Sequence, residues 1–399
     1  MTAREEPAMI DEKRLAKLFL RLAALDAPSL EERLVADAVT AELTALGLEV
    51  VEDDAAGRLG GTTGNLLCRV PANWALLGLP DAEPSPGPDV TLRQEQAPLL
   101  FSTHLDTVQP CRGKQVFLGR DRVFRSDGTT ILGADDLAGV CAVLALLHEL
   151  RDGKQPHRPL ELLFSVAEEV HLQGISVFDT RVLMAREGYV LDTSGAPGTG
   201  VIAAPGHVHL HFDVQGRPAH AGIAPETGIS AIAVAAMGIA RMNLGRIDPE
   251  TTANIGRIEG GGETNIVAGR CTVTAECRSL DPDRLSAQTR HMIDCMEQAA
   301  AETGASVTVQ THQSYHPYRV DPDQPVARRF QAACTAIGKS ARLIATGGGS
   351  DLNVLSRAGL SGMVLSCGMQ QVHSNAEHLS LDDLSDLVLL LLALVDSSC

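Results

Sequence analysis

Two runs decide how the rest of the chain reads: LLFSTHLDTVQP at Leu99–Pro110 and GTTILGADDLAG at Gly128–Gly139. In the first, an apolar stretch from Leu99 to Ser102 delivers His104 and Asp106 at its end. In the second, the apolar step Thr130–Leu132 delivers Asp135 and Asp136 through a glycine. Polar residues that close buried strands lie at the carboxyl edge of a sheet, where open α/β folds bind ligands. His104 and Asp106 are two apart, so on extended backbone they point the same way. An imidazole so placed can bind a metal while the carboxylate holds its other ring nitrogen. The plain alternative is a polar strand end followed by a helix, with Asp135 or Asp136 capping the run that starts at Leu137.

Outward from these runs the same unit recurs. Residues 1–11 are rich in charge and read as a frayed end. Glu12–Ala24 has helical spacing, with Leu15, Leu18, Phe19 and Leu22 on one side. Ser29 and Glu32 are spaced as a capping box for a second helix whose stripe is Val35, Val39, Leu43 and Leu46. Strands are predicted at 48–51 and 65–69, and the proline-rich polar stretch 76–97 reads as a surface excursion. Leu137–Leu150 is a helix. Leu160–Val166 is an apolar strand ending in Ala167-Glu168-Glu169, and Tyr189–Leu191 is a strand ending in Asp192. Strand, polar end and helix in repetition indicate an α/β unit with a mainly parallel sheet.

The period changes after about residue 206. His207–Val214 alternates, with His207, His209 and His211 on one side and Val208, Leu210 and Phe212 on the other. We read that row of histidines as the solvated face of a half-buried strand rather than as a metal site. Helices at 228–244 and 283–301 and strands at 254–258, 271–278 and 307–311 complete a small α+β domain over 207–313. From Pro325 the first pattern returns: a helix at 326–337, the glycine-rich TGGGS of Thr346–Ser350, a strand at 362–366, a loop at 368–373, and a last helix from Leu379 to Val395. TGGGS lacks the GK[ST] of a phosphate loop and reads as close approach of backbone to the site. The predicted organisation is a catalytic domain, 1–206 and 314–399, interrupted by an inserted domain.

A formal net charge of −17 argues against a nucleic-acid partner, since backbone phosphates need a basic surface. The nine cysteines are scattered without a CxxC pair, which predicts reduced thiols and a cytoplasmic protein. No signal-peptide pattern opens the sequence, and the apolar run Leu387–Val395 is too short to cross a membrane.

His104, Asp106, Asp135, Glu168 with Glu169, Asp192 and His373 therefore stand out as groups able to converge at one sheet edge. Two histidines with several carboxylates and no cysteine suit one or two borderline divalent ions: zinc first, with cobalt and manganese as the alternatives. A carboxylate shared between two ions brings them roughly 4 Å apart, and Asp135 lies between the two histidines in chain order.

These motifs resemble the M20 metallopeptidases, and within them the peptidase T-like branch. The resemblance is carried by HLDTV at 104–108, DGTTILGADDLAG at 127–139, AEE at 167–169, LDTSG at 191–195, GRPAHAG at 216–222, TNIVAGR at 264–270 and ECRSLD at 276–281. It implies a two-zinc catalytic domain with an inserted lid or dimerisation domain. It implies that His104, Asp135 and Asp192 hold one ion and Asp135, Glu169 and His373 the other, with His378 the rival for the last position. Asp106 would then orient His104, Glu168 would be the general base, and His220 would steady the transition state, supplied across a homodimer formed through 207–313. Asn265 and Arg278 would bind substrate, although an Arg278–Glu276 or Arg278–Asp281 surface pair is the plain alternative for Arg278. Leu137 stands where the branch often has Lys or Asn, which implies a local effect at the helix start. The implied activity is aminopeptidase cleavage of tripeptides or dipeptides. The same machinery also suits an N-acyl amino acid amidohydrolase or a carboxypeptidase-like enzyme. A non-catalytic protein on this fold would have lost a ligand or Glu168, and none is missing.

Overall fold

The computed structural model describes residues 10–74, 97–153 and 155–396. The predicted excursion at 76–97 lies almost wholly outside them. The chain forms two compact units: one drawn from the chain up to Ile202, from Val320–Ile344 and from Ser350 onward, the other from Ala203–Arg319 and Ala345–Gly349. The second unit is wider than the stretch read from periodicity, because its outer strands continue beyond the alternating residues and the glycine-rich segment joins it.

In the first unit the central sheet runs in the order Val50–Glu52, Leu66–Val70, Leu160–Ser165, Leu99–His104, Glu187–Thr193, Ser361–Ser366, Thr199–Ala204. Leu99–His104 pairs in parallel with both Leu160–Ser165 and Glu187–Thr193, and Ser361–Ser366 pairs in parallel with Glu187–Thr193. The flanking pairs are antiparallel. The parallel strands LLFSTH and LELLFS are buried along their whole length, as strands covered on both faces must be. Because they are parallel, their carboxyl ends open on one edge, where His104 stands opposite Ser165.

The helix Ala134–Gly153 is buried along nearly its whole length from Ala134 to Leu147. It lies between the sheet and the helices Glu12–Ala23 and Leu381–Val395, so an all-round apolar sequence is what its position requires. The last helix begins at Ser380, whose hydroxyl accepts from the Asp382 and Asp383 amides. Eight cysteines, from Cys68 to Cys367, are free and buried.

Three local expectations are corrected. Thr130–Leu132 is not a strand. The helix starts at Ala134 instead, and Asp135 and Asp136 depart from helical geometry, with a cis peptide bond between them. Ser29 and Glu32 do not form a capping box, because Glu32 is the N-cap residue of Arg33–Ala45 without a capping hydrogen bond. Both side chains are claimed by the sheet edge: Ser29 Oγ donates to Asp106 Oδ2 at 2.7 Å, and Glu32 Oε1 accepts from the Ala167 amide at 3.0 Å. His207 is buried, not solvated, and its Nε2 donates to Glu276 Oε2 at 2.8 Å.

The second unit is an antiparallel sheet in the order Gly245–Arg246, Thr251–Gly260, Arg270–Ser279, Gly206–Gln215, Ser306–Tyr315. The helices Ala231–Arg241 and Pro282–Thr303 pack on it. Alternation puts Val208, Leu210, Phe212 and Val214 against Val273, Ala275, Val234, Met292 and Met296 in a separate core.

Candidate metal centre

The site is assembled where the parallel strands end. His104 closes its strand and turns its Nδ1–H onto the Asp106 carbonyl at 3.0 Å, with the Asp106 carboxylate at 3.5 Å. That hydrogen bond aims Nε2 outward from the strand. Nε2 is buried and makes no hydrogen bond among the described residues, and it stands 3.3 Å from Asp135 Oδ1, likewise buried and unbonded among them, and 3.8 Å from Asp192 Oδ1. The other oxygen of Asp135 lies 3.2 Å from His373 Nε2, which is 3.0 Å from Glu169 Oε1. One carboxylate thus sits between two imidazoles, one oxygen toward each.

Two sets of ligand atoms follow, each within 4.8 Å of one another: His104 with Glu168 and Asp192, and His104 with Asp135 and Glu169. The unbonded Nε2 and Oδ1 face one space, and the donors are imidazole and carboxylate. This set fits divalent cations. His378 is not part of it: it lies in the short strand His378–Ser380, with Nδ1 on the Ala376 carbonyl.

Buried carboxylates hold the segments that carry these side chains; Asp106 and Asp136 stood out in the sequence, Glu377 and Asp351 did not. Asp136 Oδ2 accepts from the Thr103 hydroxyl and from the His104 amide at 3.2 Å. Glu377 Oε2 accepts from the Gly133 amide at 2.7 Å and its Oε1 from the Asp135 amide at 3.0 Å, holding the loop that presents Asp135. Asp351 accepts from Ser165 Oγ. Asp106 Oδ1 and Oδ2 accept from the amides of Glu168 and Glu169 at 2.9 and 3.1 Å. Adjacency in ADD was the available signal for Asp136. Nothing local separates Glu377 from a surface glutamate, since its partners lie far back in the chain.

The remaining expected residues lie in the second unit. His220 and Asn265 are exposed neighbours, joined by a bridge from His220 to Ile266 and by the Ala221 amide donating to the Asn265 carbonyl at 2.9 Å. Arg278 donates through Nε and Nη2 to Glu276 at 3.3 and 3.1 Å, so the ion pair anticipated as its alternative is present. Its Nη1 reaches the Gly347 carbonyl at 3.4 Å.

The sequence profile of a peptidase dimerisation domain (M20_dimer) matches residues 202–304, and that of peptidase family M28 matches 89–190. An uncharacterized protein of Bacillus subtilis, YqjE, is 34% identical over 98% of this chain and 100% of its own length. The crystal structure of aminopeptidase PepT from Bacillus cereus is 35% identical, covers 97% of this chain and 99% of that one, and superposes with a TM-score of 0.87. That of a tripeptidase from Staphylococcus aureus is 34% identical, with a coverage of 97% and 98% and a TM-score of 0.89. The chain belongs to the M20 family of metallopeptidases.

The charge balance of this M20 centre explains its behaviour. Burial opposes a protonated His104, yet the Asp106, Asp135 and Asp192 carboxylates outweigh it and hold the imidazole well above its usual range. Burial likewise opposes ionisation of Asp135, but the two imidazoles keep its carboxyl well below the ordinary value. For Asp192 and Glu168 the single imidazole of His104 does not outweigh burial. Burial first, then their acidic neighbours, push Asp192 up to about 7 and Glu168 well above the carboxylate range. A cation placed among these groups lowers all of them at once.

His373 is raised to about 10 by its hydrogen bonds to Asp135 and Glu169. Without a metal, its ion pairs therefore contribute stability that is complete below the ordinary imidazole value of 6.5 and lost as pH rises through about 10. In chelator-treated protein we expect His373→Ala to lower Tm at pH 6 and the gap to the parent to close by about pH 10.5. Thermal melts across that range check it, and a gap that does not change with pH would refute it.

Proposed function

We propose that this metallopeptidase is an aminopeptidase that releases the N-terminal residue of tripeptides or dipeptides, using two divalent cations, zinc first among them. The observation that carries the reading is the Asp135 carboxylate between His104 and His373, with Glu168 beside it at the same sheet edge. Near-full-length likeness to an aminopeptidase and a tripeptidase supports the substrate class.

His104, Asp135 and Asp192 would hold one cation and Asp135, Glu169 and His373 the other. When bound, the pair supplies Lewis-acid activation of water and of the scissile carbonyl. Glu168 acts as general base: it takes a proton from the attacking water and delivers it to the departing amine. Asp106 orients His104. His220 donates to the developing oxyanion. Asn265 and Arg278 bind the substrate's free carboxylate, Arg278 through Nη1, which also reaches the Gly347 carbonyl. The buried free thiols fit a cytoplasmic setting.

Glu168→Gln keeps the shape and removes the base. We expect kcat to fall at least roughly 100-fold with two metal ions per chain retained by elemental analysis. Metal lost along with activity would make Glu168 a ligand.

Substrate class is read from four matched compounds: a free tripeptide, its N-acetyl form, its amide, and an N-acetyl amino acid. We expect the free tripeptide to be turned over best. Preference for the N-acetyl amino acid would assign an acylase instead, and equal cleavage of acid and amide would remove the carboxylate role of Arg278.

Assembly is tested by complementation. We infer a homodimer through the inserted unit, with His220 acting across it. Mixed dimers of His220→Ala and Glu168→Gln chains should regain activity, because one composite site becomes whole. Inactive mixed dimers would place His220 in its own chain's site, and a fully active His220→Ala chain would place it outside any site.

A further inference from the structure

In the turn that presents Glu168 and Glu169 the carbonyls of Ala167 and Glu168 accept from the Gln173 and Leu172 amides at 3.0 and 2.8 Å, while its own amides are taken by side chains. Four successive amides donate to buried acceptors: Val166 to Asn65 Oδ1 at 3.1 Å, Ala167 to Glu32 Oε1 at 3.0 Å, Glu168 to Asp106 Oδ1 at 2.9 Å and Glu169 to Asp106 Oδ2 at 3.1 Å. Ala167 sits at φ 51°, left-handed backbone that a residue with a Cβ adopts only where its surroundings hold it.

Each acceptor is itself fixed. Asn65 Nδ2 donates to Asp53 and to the Gly174 carbonyl. Asp106 takes the Ser29 hydroxyl as well. Glu32 is fully buried, and its Oε1 also accepts from the Leu30 amide at 2.7 Å. The segment Ser29–Glu32 therefore clasps the turn through two side chains. Glu32 is the member that meets the left-handed residue immediately before Glu168.

We propose that Glu32 is a positioning residue for hydrolysis: by accepting the Ala167 amide it holds the left-handed turn that sets the direction in which the Glu168 side chain leaves the backbone. The proposal rests on Glu168 as general base. Without the acceptor, Ala167 relaxes toward right-handed or extended backbone and the Glu168 carboxyl swings off its line to the water. Displacements on the scale of 1 Å cost roughly 10- to 100-fold in rate. Glu32 makes no contact with a candidate ligand side chain, and Asp106 still takes the Glu169 amide, so the loss falls on kcat.

Burial, and then the Asp106 carboxylate, push Glu32 up to about 7. Its Oε2 makes no hydrogen bond among the described residues. A glutamine therefore keeps the accepting oxygen and places its amide nitrogen where no bond is lost.

The test compares the metal-loaded full chain with E32Q, E32A and E161A on a free tripeptide. Glu161 is the control, a buried glutamate whose Oε2 accepts from the Met184 and Ala185 amides at 3.0 and 2.8 Å, with no link to the turn. We expect E32A to lose roughly 10- to 100-fold in kcat, with KM and metal content unchanged. E32Q should recover most of the loss, and E161A should keep the kcat of its folded fraction. Should E32A not fold, E32D draws the acceptor back by one methylene and is judged by the same criteria. Wild-type kcat in folded E32A, E32Q as impaired as E32A, an equal loss in E161A, or loss of metal from E32A would each overturn the proposal. E168Q, assayed alongside, separates the two readings: activity in E168Q removes the base itself, whereas an inactive E168Q with an indifferent Glu32 removes only the positioning role.

Discussion

The catalytic unit is built around a charge imbalance that it cannot settle alone. Asp135, Asp192, Glu168 and Glu169 converge on two imidazoles at one end of a buried sheet. Carboxylates taken from water repel one another and are driven toward their neutral forms, as the upward shifts of Asp192 and Glu168 show. Only Asp135, between both histidines, stays firmly ionised. A pair of divalent cations is the natural complement of that arrangement, and the unbonded Nε2 of His104 and Oδ1 of Asp135 mark where the imbalance is greatest.

The surrounding acids serve a different purpose. Asp106, Asp136, Glu377 and Glu32 are all buried, and all accept backbone amides from the segments that carry the ligands. A carboxylate that receives two or more N–H groups can stay buried at tolerable cost, and it locks the donor segments relative to one another. The irregular backbone around Asp135 and Ala167 survives because these acceptors determine it, in the way that partners behind a metal ligand set its orientation. The apolar parallel strands and the helix Ala134–Gly153 supply the rigid floor from which those loops rise.

The inserted unit carries its own core and a distinct polar network. His207 and Arg278 both bind Glu276, which His207 first and Arg278 next hold down at about 2. Glu276 thus fixes the guanidinium through Nε and Nη2, while Nη1 reaches the Gly347 carbonyl. The pairing read from sequence as a surface alternative is a partly buried one, tied to a histidine that alternation alone would assign to solvent.

Much of this was legible in the sequence because it is local. Strand periodicity placed His104, Glu168 and Asp192 at strand ends, and the switch from buried runs to strict alternation near residue 206 announced a second unit. The family resemblance put His373 ahead of His378, and the fold places His373 beside Glu169 and Asp135. What stayed hidden depends on contacts between segments distant in the chain. Ser29 and Glu32 have the spacing of a capping box, yet the Asp106 carboxylate beyond the Leu99 strand takes the Ser29 hydroxyl, and the buried Ala167 amide beyond the Leu160 strand takes the Glu32 carboxylate. Asp135 was expected after a strand and stands instead at the start of a helix, held by Glu377. His207 has the period of an exposed position, but the neighbouring strand brings Glu276 over it. Local pattern determined which residues could meet at the sheet edge. Tertiary structure alone decided which buried carboxylates face the candidate metal site and which fasten the backbone, because that depends on where unpaired amides of remote segments come to lie.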